Sequence, residues 1–298
     1  MNELIIPPSP ELSSEQILAL GGYAKALGQA RNMPRSHLLA GNLQSKKKGH
    51  GLELHEIRPY AISDEARHID WRVTARTGEA HTRIYTEDSE HRTLVVLSLS
   101  TDAYFGTQTT FISTRLAQLA ALISWRCYAQ REPVGLAVHA GTAQLTPIIR
   151  DWQQFGQQLA ESTLIEQREQ CSPVFSLPHL AHLRGYSVIV LSDQLSVADN
   201  SQAAFAQLAQ HNRVHWLAVD DPNTFQLPDG EYLFAHRSGS KAIQVNTQQK
   251  QQAQSRHQQQ RQRLDEYLSG LGILHLTFSV DDSPVAIARE LLLRGVIH

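Results

Sequence analysis

Sulfur is scarce in this chain, with two cysteines and two methionines among 298 residues. Neither Cys127 nor Cys171 lies in a CxxC or Cys/His spacing, so neither a disulfide framework nor a structural zinc site organises the sequence. Charge excess is also lacking: 27 lysines and arginines face 29 acidic residues, a formal net charge of −2. No global field marks a binder of nucleic acid or membrane surface, and any electrostatic role must be local. The first residues, MNELIIPPSPELSSEQ, carry neither a basic n-region nor an apolar h-region. The most apolar helix-like run, from Leu116 to Ala129, is interrupted by Gln118 and Arg126. The expectation is a cytoplasmic chain with no membrane span.

Catalytic signatures are missing in the same way. There is no GxxxxGK[ST], so the chain cannot supply a P-loop ATPase, and no HExxH. The fifteen histidines are scattered, and His179 with His182, like His236, has no carboxylate motif nearby. Lys46, Lys47, Lys48 and His50 form a basic run, but basic residues are few and not interleaved with aromatics, which argues against nucleic-acid recognition. The polar stretch from Arg35 to Gly51 reads as a solvated loop or, alternatively, a phosphate-binding one.

What the sequence does contain is alternation of strand-like and helix-like segments. An N-cap at Ser13 or Ser14 precedes a helical pattern through Ile17, Leu20, Tyr23 and Leu27, ending before Pro34. Strands are expected at Thr93–Ser100, Pro133–Ala140, Leu145–Ile149, Tyr186–Leu191, Arg213–Asp220 and His275–Ser279. Helices are expected from Phe111 to Gln130, from Asp151, over 199–211, from Thr247 to Gly270 and from Ser283 to Arg294, with a hairpin over 231–246. Strands separated by helices imply right-handed crossovers, hence an α/β, Rossmann-like, doubly wound and mostly parallel sheet. The expected division is a helical and irregular N-terminal extension, 1–90, packed on a main domain, 91–298. The glutamine-rich run in the 247–270 helix reads as a solvated face or, alternatively, a partner surface.

The segment from Leu52 to Asp88 fits neither a plain strand nor a plain helix surface, being dense in arginine, aspartate, tryptophan and tyrosine. Its Arg58-Pro59-Tyr60, Asp64, Arg67, Ile69-Asp70-Trp71 and Thr74-Ala75-Arg76-Thr77 resemble the signature of the bacterial domain-of-unknown-function family 58. Ser63 departs from the family's usual glycine. The resemblance runs on through most of the chain and implies a von Willebrand factor A-like fold. It also implies association with MoxR-type AAA-plus ATPases, hence a non-enzymatic adaptor or co-chaperone whose partners are that ATPase and a client protein. The alternative is a metal-dependent hydrolase.

Two readings of the signature stay open. Arg58, Arg67, Arg72 and Arg76 lie among Glu56, Asp64, Glu65 and Asp70, so charge-assisted pairs can staple the segment while Trp71 supplies apolar area for docking. Alternatively, some of these arginines face outward towards an acidic partner or a phosphate. A metal or acid/base role for Asp64, Glu65 and Asp70 is disfavoured by the arginines around them.

The resemblance also points to the ends of the strands, where von Willebrand A domains hold a divalent cation on a loop reading aspartate-x-serine-x-serine. Aligned on Phe105-Gly106, this chain has Ser98-Leu99-Ser100-Thr101-Asp102, so the leading aspartate and the final serine are exchanged. Asp193 matches the later acidic residue. Ser100, Asp102 and Asp193 would then be a degenerate site binding Mg²⁺ or Mn²⁺ weakly, or a loop that has lost its metal.

Overall fold

The structure is a computed structural model describing residues 3–28, 48–61, 64–86, 92–108, 110–140, 142–176, 180–226, 228–236 and 239–298. Lys46, Lys47, Ser63 and His179 lie outside the described residues. The chain divides into two compact units, one formed by 1–33 with 91–298 and the other by 34–90.

In chain order, the elements begin with short helices α1 (Ser14–Ala19) and α2 (Gly21–Ala26). Strand β1 (Lys48–Pro59), helix α3 (Trp71–Thr77) and strand β2 (His81–Thr86) form the smaller unit. Then come β3 (Arg92–Ser98), α4 (Ile112–Ala129), β4 (Val134–Ala140), β5 (Thr142–Thr146) and α5 (Trp152–Ser162). The remainder is β6 (Tyr186–Ser192), α6 (Asp199–His211), β7 (Arg213–Asp220), β8 (Gly230–His236), β9 (Gly239–Val245), α7 (Thr247–Gly270), β10 (Leu274–Ser279) and α8 (Pro284–Leu293).

The larger unit is built on a six-stranded sheet in the order β10-β7-β6-β3-β4-β5. Five strands run parallel and β5 turns back antiparallel to β4 at one edge. Numbering only these six strands in chain order, the sheet reads 3-2-1-4-5-6 from the β5 edge. The winding therefore reverses between β3 and β6, and the crevice beyond their carboxyl ends is where open α/β sheets place ligands.

Burial follows the period of two. Val95, Leu97, Leu136, Val138, Ile189, Leu191, Leu217 and Val219 face one helical layer, while Leu94, Val96, Ala137, Val188, Val190, Val214 and Trp216 face the other. The first layer holds α4, α5 and α8, and the second holds Phe205 and Leu208 of α6 with Leu264 and Leu268 of α7. Near-continuous apolar strands are what a sheet covered on both faces requires.

The leading helix of the sequence reading is two short ones. Ser13 closes a capping box with Gln16 on α1, and Gly21 opens α2 where an added Cβ would lie 2.9 Å from the Trp125 ring. The polar breaks in α4 are internal fastenings. Arg115, 1% exposed, donates from Nε to the Val280 carbonyl (2.9 Å) and from Nη1 to the Ile5 carbonyl (3.0 Å) and Gln118 Oε1 (2.8 Å). Burial pulls its guanidinium down to about 10, and those acceptors make its placement tolerable. Among the described residues no helix is long and apolar enough to cross a membrane.

The smaller unit was expected to be irregular, yet β1 and β2 pair as an antiparallel ribbon. The basic loop expected up to Gly51 therefore ends sooner, because Lys48 already opens β1. Register shifts between Lys48 and Glu53 and between Leu54 and Glu56 mark the irregularities that charged composition hinted at.

Candidate functional site

At the switch point, β3 ends at Ser98 and β6 at Ser192, and the polar residues after them close on one another. The Ser100 backbone N–H donates to Asp193 Oδ1 at 2.9 Å, and the Ser100 hydroxyl donates to Asp193 Oδ2. Ser100 Oγ in turn accepts from the Asp102 N–H at 3.0 Å, capping the short helical turn Thr101–Tyr104. Ser98 Oγ donates to Gln194 Oε1 at 2.8 Å, and Ser192 Oγ reaches the same oxygen at 3.1 Å. Gln194 Nε2 donates to the Ser172 carbonyl at 2.7 Å. One strand further on, Asp221 accepts from the Thr107 N–H (2.7 Å) and hydroxyl (2.8 Å), tying the far end of the first loop to the end of β7. A cleft of about 100 Å³ beside this network is lined by Ser98, His139, Gln170, Ser172, Ser176 and Gln194, among others.

The expected residues thus separate. Ser100 and Asp193 meet, whereas Asp102 contributes its backbone to Ser100 and leaves its side chain exposed. Burial pushes the Asp193 carboxyl up to about 6, the two Ser100 hydrogen bonds pull against that shift, and the nearby Asp102 charge adds to it. Mg²⁺ needs near-octahedral oxygen ligands at free lone pairs. Both Asp193 oxygens are engaged by Ser100, and among the described residues no three His, Cys, Asp or Glu side chains gather to hold a metal. Each Asp193 oxygen keeps a second lone pair, but the Asp102 side chain is exposed, so the three expected ligands do not converge as that ion requires. Gln194 and Asp221 escaped the sequence reading; the signal for each was a polar residue directly after an apolar strand, in LSDQ and in VDD.

In the smaller unit the signature splits into a pinned part and an open part. Asp64 accepts from Arg58 Nη2 at 2.7 Å and from the Ala61 N–H at 3.0 Å, and Tyr60 donates its hydroxyl to the Asp64 carbonyl at 3.2 Å. Arg67 pairs with Glu65. Asp70 caps α3 by accepting from the Arg72 and Val73 N–H groups at 3.0 and 3.1 Å, and its other oxygen takes Arg83 Nε at 2.9 Å. The Arg83 hydrogen bond, with the Val73 N–H next, holds the Asp70 carboxyl below the usual range. At the other end Gly78 adopts φ 79°, the left-handed conformation that stops a helix, and Thr77 donates to the Val73 carbonyl at 3.0 Å.

Between those caps Trp71 is 69% exposed, so its ring adds little to the packing of the smaller unit itself. Arg72 and Arg76 are also exposed, and neither makes a side-chain hydrogen bond or ion pair among the described residues. Within the smaller unit, then, Arg58, Arg67 and Asp70 are in ion pairs among the described residues, and Arg72 and Arg76 are not.

Residues 56–266 match the family described as protein of unknown function DUF58. The chain belongs to the DUF58 family. Among curated proteins, uncharacterized proteins of Mycobacterium bovis and of Mycobacterium tuberculosis are 42% identical over 59 residues, which is 20% of this chain and 19% of each relative. The matched part is thus about a fifth of those relatives' length. Among solved structures, an uncharacterized membrane spanning protein from Vibrio fischeri covers 70% of this DUF58 chain and 98% of its own at 14% identity and a TM-score of 0.17. A similarity that slight bears on neither fold nor location.

Proposed function

We propose that this DUF58 chain is a non-enzymatic protein-interaction module, an adaptor or co-chaperone for a MoxR-type AAA-plus ATPase and its client. The observation that carries the reading is the closure of the switch point. Asp193 is spent on Ser100, and Gln194 on Ser98, Ser192 and Ser172, so these polar groups hold the loop rather than aim at a substrate. A strand-end loop closed on itself is a structural element, which leaves recognition to other surfaces of the chain.

The strand order and the antiparallel β5 edge support a von Willebrand A-like body, and the family resemblance supplies the ATPase as candidate partner. A hydrolytic reading has one observation in its favour, the raised Asp193 carboxyl. Against it, a general acid or base must reach the proton it moves, and both Asp193 oxygens already have partners.

The test is co-expression with a MoxR-type ATPase of the same genome, followed by co-purification and ATP turnover with and without the chain. Complex formation with a changed turnover is expected. No complex, together with hydrolysis by the chain alone that Asp193→Ala abolishes, would replace the adaptor reading by the enzymatic one.

A further inference from the structure

Helix α3 is seven residues long and capped at both ends, by Asp70 and by Gly78. Positions 71, 72, 75 and 76 span about 140° of its circumference at 100° per residue, so Trp71, Arg72, Ala75 and Arg76 form one face. All four are exposed, whereas Val73 and Thr74 on the opposite side are partly buried.

Judged by folding alone, this face is badly composed. Like charges at i and i+4, as at Arg72 and Arg76, disfavour a helix. A cation in the first turn, at Arg72, also opposes the positive end of the helix dipole. Trp71 leaves most of its ring in water. Within the same ribbon Arg58, Arg67 and Arg83 each have a carboxylate partner. Local choices that work against stability and have no compensating contact are expected where function is selected.

From this juxtaposition we infer that the outward face of α3, Trp71 with Arg72 and Arg76, docks an acidic segment of a partner protein. The inference rests on the adaptor reading and names the surface that serves it. Tryptophan and arginine are the side chains most enriched where binding energy concentrates in protein interfaces. Two guanidinium forks one helical turn apart match carboxylates spaced similarly on a partner, while the indole supplies an apolar anchor at the edge of the same face. Nucleic acid fits less well, since single strands are held along a groove with several cations and stacking platforms. An anionic membrane fits less well because polybasic surface binding takes about 4–8 clustered lysines or arginines.

The test uses the full chain and four probes: a synthetic amphipathic helix of glutamate and leucine, its lysine counterpart, a phosphatidylglycerol vesicle and a short DNA single strand. Binding is read from the Trp71 emission, obtained as the difference between the parent and Trp71→Phe. The glutamate peptide is expected to bind and shift that emission to the blue, with the lysine peptide inert. The decisive variant is Arg72→Glu, which places an acid one turn before Arg76 and near the helix N-terminus. It should hold or raise the melting temperature while weakening peptide binding by roughly tenfold or more. Lowered stability with unchanged binding would overturn the proposal, as would preferential binding of vesicle or DNA. So would a Trp71 emission that is already blue in the free protein, which would mean that the chain covers its own tryptophan. If Arg72→Glu still binds the ATPase normally, this surface is wrong and the adaptor reading stands. If the parent binds no ATPase yet takes the glutamate peptide in this manner, the surface stands and the adaptor reading falls.

Discussion

The carboxyl edge of the sheet and the outward face of α3 are both rich in polar side chains, and they spend them in opposite ways. At the sheet edge Ser98, Ser100, Asp193 and Gln194 satisfy one another, and even the Asp102 N–H is taken. On α3 the caps are satisfied, while Arg72, Arg76 and the Trp71 ring are not. A buried polar group without a partner costs about 1–3 kcal/mol, so the half-buried edge has to close on itself. Exposed guanidinium groups bear no such cost and can wait for a partner. A family signature can thus combine residues that hold a unit together with residues that the unit does not need.

The two tryptophans at 71 and 216 give the largest contrast. Trp216 is 1% exposed and its ring packs edge-on against Phe175 (4.8 Å) and Phe205 (6.1 Å). Denaturant unfolding of Trp216→Ala should show a loss of about 3–5 kcal/mol. Trp71→Ala should stay within about 0.5 kcal/mol of the parent. A loss at Trp71 approaching that at Trp216 would break the comparison, since it would mean that the α3 face is covered in the folded chain.

Next in size are two titrations of opposite sign. His215, 3% exposed with neither ring nitrogen bonded among the described residues, is held neutral by burial, its pKa lowered from 6.5 to about 4. The unfolded chain binds this proton more readily, so the stability it provides is lost as pH falls from 6.5 towards 4. His215→Leu should therefore gain on the parent in acid, by roughly 3 kcal/mol at about 1.36 kcal/mol per pKa unit. Asp193, raised from 3.8 to about 6, costs stability as pH rises through that window. Asp193→Asn, which can still meet both Ser100 groups, should gain on the parent above pH 6 and converge with it below pH 4. Its gain should be roughly 1–2 kcal/mol, the full linkage being discounted for partial exposure. Melts of both variants across pH check the signs; an Asp193→Asn variant that loses ground above pH 6 would show that the ionised carboxylate is what the edge was built around.

The smallest expected effect is that of a divalent cation. Millimolar Mg²⁺ or Mn²⁺ should barely shift the melting of the parent. A Ser98→Asp, Asp102→Ser double variant moves a carboxylate from an exposed position to the buried end of β3, against Gln194, so it should melt lower alone and recover with the metal. A large shift in the parent that disappears in Asp193→Ala would show that the edge opens to admit an ion.

Much of the larger unit was legible because its signals are local. α6, β7 and α7 fall at the bounds read from periodicity, and α5 follows Asp151, which caps it by accepting from Gln153 and Gln154. β5 was placed late, at Leu145–Ile149 rather than Thr142–Thr146, because a short polar edge strand has little apolar contrast. The burial of Arg115 was unreadable, since its acceptors Ile5 and Val280 lie 110 and 165 residues away. The ribbon β1–β2 was missed because its composition is charged and a register shift after Leu54 puts Ile57 out of phase with Leu52 and Leu54. At the candidate site, Ser100, Asp102 and Asp193 were brought to one edge by the strand order together with the family resemblance. Which oxygens at that edge stayed free depends on neighbours such as Gln194, and the outward turn of Trp71 depends on how Asp70 and Gly78 set the helix on the ribbon.

The comparison is tested most directly by amide hydrogen exchange on the chain, free and bound to the co-purified ATPase. New protection is expected over Trp71–Thr77, with little change over the loop from Ser98 to Thr107 or at Asp193 and Gln194. Protection of that loop on binding, with α3 exchanging as it does in the free chain, would contradict the account and place the partner on the sheet edge.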